Sequence, residues 1–230
     1  MRILVTRPSK DGAEIARVLA GLGHEALLAP LLSVQFHAGA PLALEGVQAV
    51  LVTSANGVRA LARRTTRRDI PLFAVGPQTA DAAARRGFLR VRNAAGDAVA
   101  LAGLVPHWAD PAAGVLLHAA GEDGSGGLAQ ALSERGFEVR REILYRVEAA
   151  TELPAAAVQA LRQGSVQAAL FFSPRSARVF IDCVTRAGLP TAGIIAVCIS
   201  ANTARVLAAL PFAEVRIAQA PNQAALLGIL

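Results

Sequence analysis

At 230 residues the chain has room for one large or two small domains, and 53% hydrophobic against 17% charged residues marks it as globular, not disordered. The formal net charge of +6 is carried by arginine, since Lys10 is the only lysine, and with few aromatic residues and no recognition motif a nucleic-acid binder is disfavoured. Cys183 and Cys198 form no CxxC pair, and His24, His37, His107 and His118 show no metal spacing and no pairing with a nucleophile and an acid, so redox-dithiol, metal and hydrolytic-triad chemistry find no support, and each histidine is expected as a surface or strand-end residue.

The chain opens on an apolar run, 2–6, read as a strand, and it lacks the layout of a signal peptide. A helix over 9–22 follows, and then strands at 26–29, 48–53, 71–75 and 88–92, with helices over 55–64, 78–87 and 97–106. The second half repeats the alternation, with strands at 114–119, 138–146, 166–172, 194–199 and 213–218. Its helices are expected at 125–136, 154–163, 175–187, 202–210 and 222–230. The strand runs are almost continuously apolar, as parallel strands covered on both faces require. Regular exchange of strand and helix then predicts doubly wound parallel-sheet α/β domains of flavodoxin-like type with right-handed crossovers. Pro8, Gly57 and Pro77 stand near helix starts, and Gly23, Gly136 and Gly188 just past helix ends, as helix geometry prefers. No apolar stretch reaches membrane-spanning length without a polar break, so the chain is expected to be cytoplasmic.

These elements repeat. Gly23 and Gly136 close matching helices, Ser54 and Ser173 open matching turns, and Thr79 and Thr203 do the same further on. The matches fall in one order with slowly growing offsets, which indicates duplication of one domain-sized unit. Two segments at equivalent repeat positions, Leu31 to Phe36 and Ile143 to Glu148, extend the second strand well beyond its partner helix and are suited to pair as a two-stranded link. The domains are then not the sequence halves. Residues 1–34 with 147–230 would form one and 37–143 the other, with linkers near 31–37 and 142–148.

Ligand sites in parallel sheets lie beyond the strand carboxyl ends. Thr6 and Arg7, Thr53, Ser54 and Asn56, Gly76 and Thr79 fall there in the first half, and Glu122, Ser173, Pro174, Arg175, Ser200 and Thr203 in the second. Small polar residues at such turns cap helices, and they also leave backbone N–H groups able to bind an anion. Either role suits any one turn; recurrence in both halves favours the second. The clusters Arg63-Arg64, Arg67-Arg68, Arg85-Arg86 and Arg140-Arg141 read as a solvated surface or as a field that draws in an anion. Gly124-Ser125-Gly126-Gly127-Leu128-Ala129 fits a loose dinucleotide pattern, but Glu122 and Asp123 would face the pyrophosphate. Tyr145, the only tyrosine, is either an amphipathic strand residue or a hydroxyl donor overhanging an interdomain cleft.

Taken in order, Val5-Thr6-Arg7-Pro8, Pro30-Leu31-Leu32, Val52 to Gly57, Ala74 to Ala80, Leu144-Tyr145-Arg146, Phe171 to Ser176 and Pro221 resemble the uroporphyrinogen-III synthase family over essentially the whole chain. Two features depart from it: Ser200-Ala201-Asn202-Thr203 stands where a Gly-Pro turn is common, and the Gly121–Gly127 loop lacks an arginine often found there. The resemblance implies two α/β domains joined by a two-stranded link, no cofactor and no metal. It implies hydroxymethylbilane as substrate, closed to uroporphyrinogen III with loss of water and inversion of ring D through a spiro intermediate. Arg7, Thr53, Ser54, Asn56, Gly76, Thr79, Ser173, Arg175, Ser200 and Thr203 are then expected to bind substrate, with Tyr145 as general acid. No nucleic-acid or membrane partner is expected, and one copy of the chain should suffice. The alternative is a non-catalytic two-domain sensor that binds an anionic small molecule in its cleft; a nucleotide-dependent oxidoreductase would need the Gly124–Ala129 loop to hold its cofactor.

Overall fold

A computed structural model describes residues 1–124 and 126–230, leaving aside the side chains of Ser9 and Lys10. Its strands are β1 (Arg2–Val5), β2 (Glu25–Leu28), β3 (Leu32–Phe36), β4 (Val47–Val52), β5 (Leu72–Ala74), β6 (Val91–Asn93), β7 (Val115–Gly121), β8 (Val139–Ala149), β9 (Ala168–Phe171), β10 (Ile195–Cys198) and β11 (Glu214–Ile217). Its helices are α1 (Ser9–Gly21), α2 (Ala55–Arg64), α3 (Pro77–Ala84), α4 (Ala98–Leu104), α5 (Gly127–Ser133), α6 (Ala155–Arg162), α7 (Pro174–Arg186), α8 (Ala201–Leu207) and α9 (Gln223–Leu227).

Several expected boundaries move, for local reasons. The helix expected over 97–106 stops at Leu104, and a 3₁₀ turn takes over at Val105–His107. Pro106 has no N–H to extend an α-helix. The strand expected at 88–92 begins only at Val91, because Phe88 turns into the core and Leu89 N donates to Arg68 O. Helix ends in the two repeats are built alike. Gly23 and Gly136 adopt left-handed φ of 76° and 84°, and the next residues, His24 and Phe137, donate to Leu19 O and Leu132 O. Such a turn suits glycine, which carries no Cβ.

The strands form two sheets. One has the order β2-β1-β9-β10-β11 and is parallel throughout; the other runs β3-β8-β7-β4-β5-β6. Apart from β3, the second repeats the plan of the first: a βαβ pair beside a βαβαβ run, parallel throughout. Each sheet therefore joins the opening strand pair of one repeat to the closing three strands of the other.

Two compact units follow, Met1–Ser33 with Glu148–Leu230, and Val34–Val147. The chain passes from one to the other twice, within β3 and within β8, which are neighbours. Their bonds Ala150 N→Leu31 O and His37 N→Leu144 O run in opposite sequence directions, so the two strands are antiparallel. Each sheet is covered on both faces, as its apolar strands demanded. In the first unit Leu4, Ala169 and Phe171 face α6 and α7, whereas Ile3, Val5 and Leu170 face α1 and α9. In the second, Val50, Val52 and Leu117 face α2 and α3, and Ala49, Leu51 and Leu116 face α4 and α5. Among the described residues no helix is long and apolar enough to cross a membrane.

Candidate active site

Doubly wound sheets bind ligands where the strand order reverses, because the helices leaving two adjacent strands there diverge to opposite faces. In the first unit that point lies at β1 and β9. Thr6, following β1, is 1% exposed and its Oγ1 donates to Leu170 O at 2.6 Å, tying the two strand ends together. The Arg7 guanidinium stands 4.8 Å above the Phe172 ring and pairs with Asp11 at 3.1 Å. Ser173 caps α7, its Oγ accepting from Ser176 N at 3.1 Å. Arg175 follows, exposed, in the first turn of that helix. On the next turn Ser200 caps α8 and accepts from Thr203 N at 3.4 Å, while Thr203 itself is fully buried.

In the second unit the order reverses at β4 and β7. Here α2 starts unusually close to the sheet: a Cβ on Gly57 would stand 2.8 Å from Ala119 O of β7. Half-buried Thr53 leads into this turn. Ser54 caps α2, accepting from Gly57 N at 3.0 Å, and its Oγ is also 2.8 Å from the Tyr145 hydroxyl. Asn56 Oδ1 accepts from Arg59 Nη1 at 2.8 Å. Gly76 occupies the N-cap of α3 without a side-chain bond, and Thr79, 5% exposed, donates its N–H to Gly76 O.

Tyr145 owes its aim to a β-bulge. Ala120 of β7 faces Ile143, but Gly121 faces Tyr145, so Leu144 is the extra residue. The slip turns Leu144 and Tyr145 into the same core. The phenol then crosses β7 over Gly121 and reaches Ser54 at the head of α2.

The sequence-expected residues therefore fall in two groups. Thr53, Ser54, Asn56, Gly76, Thr79 and Tyr145 share the rim of one unit, and Arg7, Ser173, Arg175, Ser200 and Thr203 that of the other. At Ser54, Ser173 and Ser200 the capping role is realised: each Oγ accepts from the backbone N–H three residues on. A hydroxyl that accepts in this way still has its proton to donate.

Other residues at the second rim escaped sequence reasoning. His37, expected at a surface or strand end, follows β3 and sets Nδ1 3.2 Å from Ile143 O and Nε2 3.1 Å from Glu122 Oε1. Arg141 Nη2 donates to Gly121 O and Gly124 O, supplying from β8 an arginine to a loop that has none of its own. Gly124 and Gly126 flank Ser125, which lies outside the described residues, so the dinucleotide pattern over 124–129 is not fully described. His118 corrects the expectation of a surface or strand-end residue: it sits inside β7, 3% exposed, with neither ring nitrogen hydrogen-bonded to any described residue. Burial, aided by nearby Arg141, pushes its pKa down to about 4. Cys198 is a buried strand residue whose thiol burial pushes up to about 12, far from a reactive thiolate.

The arginine cluster lies away from this rim, at the far end of α2. Arg68 donates to Thr65 O and Arg86 O, Arg64 donates to Ala40 O, and the Arg63 guanidinium sits 4.1 Å above the Phe36 ring. These guanidiniums hold carbonyls and rings at helix ends, a role neither of the two sequence readings described.

Two units of one strand order, each with hydroxyl-capped helix starts at its point of reversal, define a two-domain flavodoxin-like α/β protein. The model of the family described as uroporphyrinogen-III synthase HemD matches residues 13–228, and the chain belongs to that family. Its activity is that of a lyase of tetrapyrrole and haem biosynthesis, converting hydroxymethylbilane into uroporphyrinogen III. Solved structures agree on the fold. The chain is similar to the Helicobacter pylori uroporphyrinogen-III synthetase, with a TM-score of 0.67 and 18% identity over 100% of this chain and 98% of that one. It is also similar to a mutant uroporphyrinogen III synthase from the extremely thermophilic bacterium Thermus thermophilus, with a TM-score of 0.55 and 19% identity over 100% and 97%. No curated protein matches the sequence.

Proposed function

We propose that Tyr145 is the general acid of the cyclisation and that the capped turns of both units hold the carboxylates of hydroxymethylbilane. The observation that carries this reading is the Tyr145–Ser54 contact of 2.8 Å, which fixes the chain's only tyrosine hydroxyl at a point of strand reversal. The phenol hands its proton to the departing hydroxymethyl oxygen, which leaves as water, and the remaining carbon becomes an azafulvene. The substituted position of ring D attacks this electrophile to give the spiro intermediate. Cleavage of the bond from ring C to ring D and reclosure at the free position deliver ring D inverted.

The chain's main task is to select a bent conformer, because hydroxymethylbilane closes unaided to the isomer with ring D not inverted. Orientation alone supplies several kcal/mol of a barrier. Ser54 and Thr53 at α2, Asn56 beside them, Gly76 and Thr79 at α3, and Arg7, Ser173, Arg175, Ser200 and Thr203 in the other unit offer hydroxyls, amides and cations to carboxylates. The reading assigns the reaction to a single copy of the chain in the cytoplasm, with no cofactor taking part.

The test is an assay in which hydroxymethylbilane synthase makes the substrate in place and the oxidised porphyrin isomers are separated. Isomer III that depends on this protein, and falls with Tyr145→Phe, supports the proposal. Isomer III undiminished in Tyr145→Phe removes the general-acid role; isomer I alone from folded protein removes the activity.

A further inference from the structure

The Tyr145 ring is held in place by an absence. It runs across Gly121 on the neighbouring strand, and a Cβ there would lie 2.8 Å from Cζ, 2.9 Å from Cε2 and 3.1 Å from the hydroxyl oxygen. Separations this short exceed what van der Waals contact tolerates, so ring and side chain cannot both occupy the place. The ring has little freedom to yield. Its backbone is fixed in β8, where Tyr145 O accepts from Glu122 N at 3.0 Å, its body is 8% exposed in the α2/α3 core, and its hydroxyl meets Ser54. Gly121, moreover, does not occupy the left-handed region, so its backbone conformation is open to alanine. Nothing local demands glycine here; the demand comes from the ring.

We propose that Gly121 is a positioning residue for Tyr145: with the Leu144 bulge, its missing side chain sets the path by which the phenol crosses β7 to Ser54. The inference rests on the general-acid reading of Tyr145 for its effect on turnover, but not for its effect on the ring. The chain has a single tyrosine, so ring-labelled tyrosine gives one set of NMR signals that reports this ring without assignment.

The experiment compares Gly121→Ala, Tyr145→Phe and the double variant. The expected result is a shift of the tyrosine ring signals in Gly121→Ala, with kcat reduced by about 100-fold, the scale of a misplacement of about 1 Å. Adding Gly121→Ala to Tyr145→Phe should reduce kcat little further. Unchanged ring signals overturn the proposal, as does a full second loss of kcat in the double variant. If Tyr145→Phe keeps full activity, the general-acid reading fails alone, and the ring signals still decide the role of Gly121. If Gly121→Ala does not fold, its melting is compared in a Tyr145→Ala background. Recovery there supports the steric path, and equal destabilisation in both backgrounds overturns it.

Discussion

The Tyr145 hydroxyl stands 2.8 Å from Ser54 Oγ, joining β8 to the first turn of α2 across the intervening β7. Ser54 thus has two roles, capping its helix and meeting the phenol. Tyr145→Phe removes only the hydroxyl. It should lower kcat by about 10²–10⁴-fold, the range for loss of a general acid, while KM and the melting temperature hold. Ser54→Ala should cost about 1 kcal/mol of stability through the lost cap. Steady-state kinetics and thermal melts of the two variants separate the roles.

At Gly57 two physical effects oppose each other. In an exposed helix, alanine is favoured over glycine by about 1 kcal/mol. Here the new Cβ would meet Ala119 O at 2.8 Å, a backbone atom that has no easy way to yield. We expect the clash to win and Gly57→Ala to destabilise by roughly 1–3 kcal/mol, measured by denaturant titration. A stabilised variant would show that α2 stands off from β7.

The folded chain holds His118 neutral, with its pKa pushed down to about 4 from the usual 6.5. Between those values the unfolded chain binds a proton that the folded chain does not. This contribution is therefore complete above pH 6.5 and is lost as pH falls towards 4. It amounts to about 3 kcal/mol. Unfolding free energies measured from about pH 7 to about pH 4 should show a shallower acid slope for His118→Leu than for the natural chain. Equal slopes would mean that His118 takes up its proton in the folded state.

Adjacent arginines should differ sharply in weight. Arg67 pairs with Asp69 in full solvent, an arrangement that contributes little to stability. Arg68 instead donates to the carbonyls of Thr65 and Arg86 and lies 4.8 Å above the Phe88 ring. Arg68→Ala should lower the melting temperature by several degrees, and Arg67→Ala should leave it nearly unchanged. Melts in high salt should not erase the Arg68 effect, since hydrogen bonds to carbonyls and ring contact are weakly screened.

The parts of the molecule legible in the sequence are those written in neighbouring residues. Val50, Leu51 and Val52, buried on both faces, could only be a covered parallel strand, and Ser54 followed by Gly57 already spells a helix cap. Relations across strands were not legible. That Arg141 braces the loop after β7 and that His118 lies buried depend on which strands flank β7, and that Gly121 makes room for Tyr145 depends on a register containing a bulge. No local pattern announces a bulge at Leu144. The arginine clusters were legible only in part, for a related reason: Arg63, Arg67, Arg85 and Arg86 are solvated as composition suggests, whereas the carbonyls that Arg64 and Arg68 bind are set by where helices end.

The exchange of strand pairs between the repeats has a consequence for how the protein is made. Val34–Val147 is one unbroken stretch, and every strand it needs has left the ribosome long before synthesis ends. The other unit starts first and finishes last, because β1 and β2 have no further partner until β9 emerges. The β1–β2 segment must wait, the strand face that α6 and α7 will cover still bare, while a complete unit folds behind it, so the nascent chain is most exposed to aggregation there.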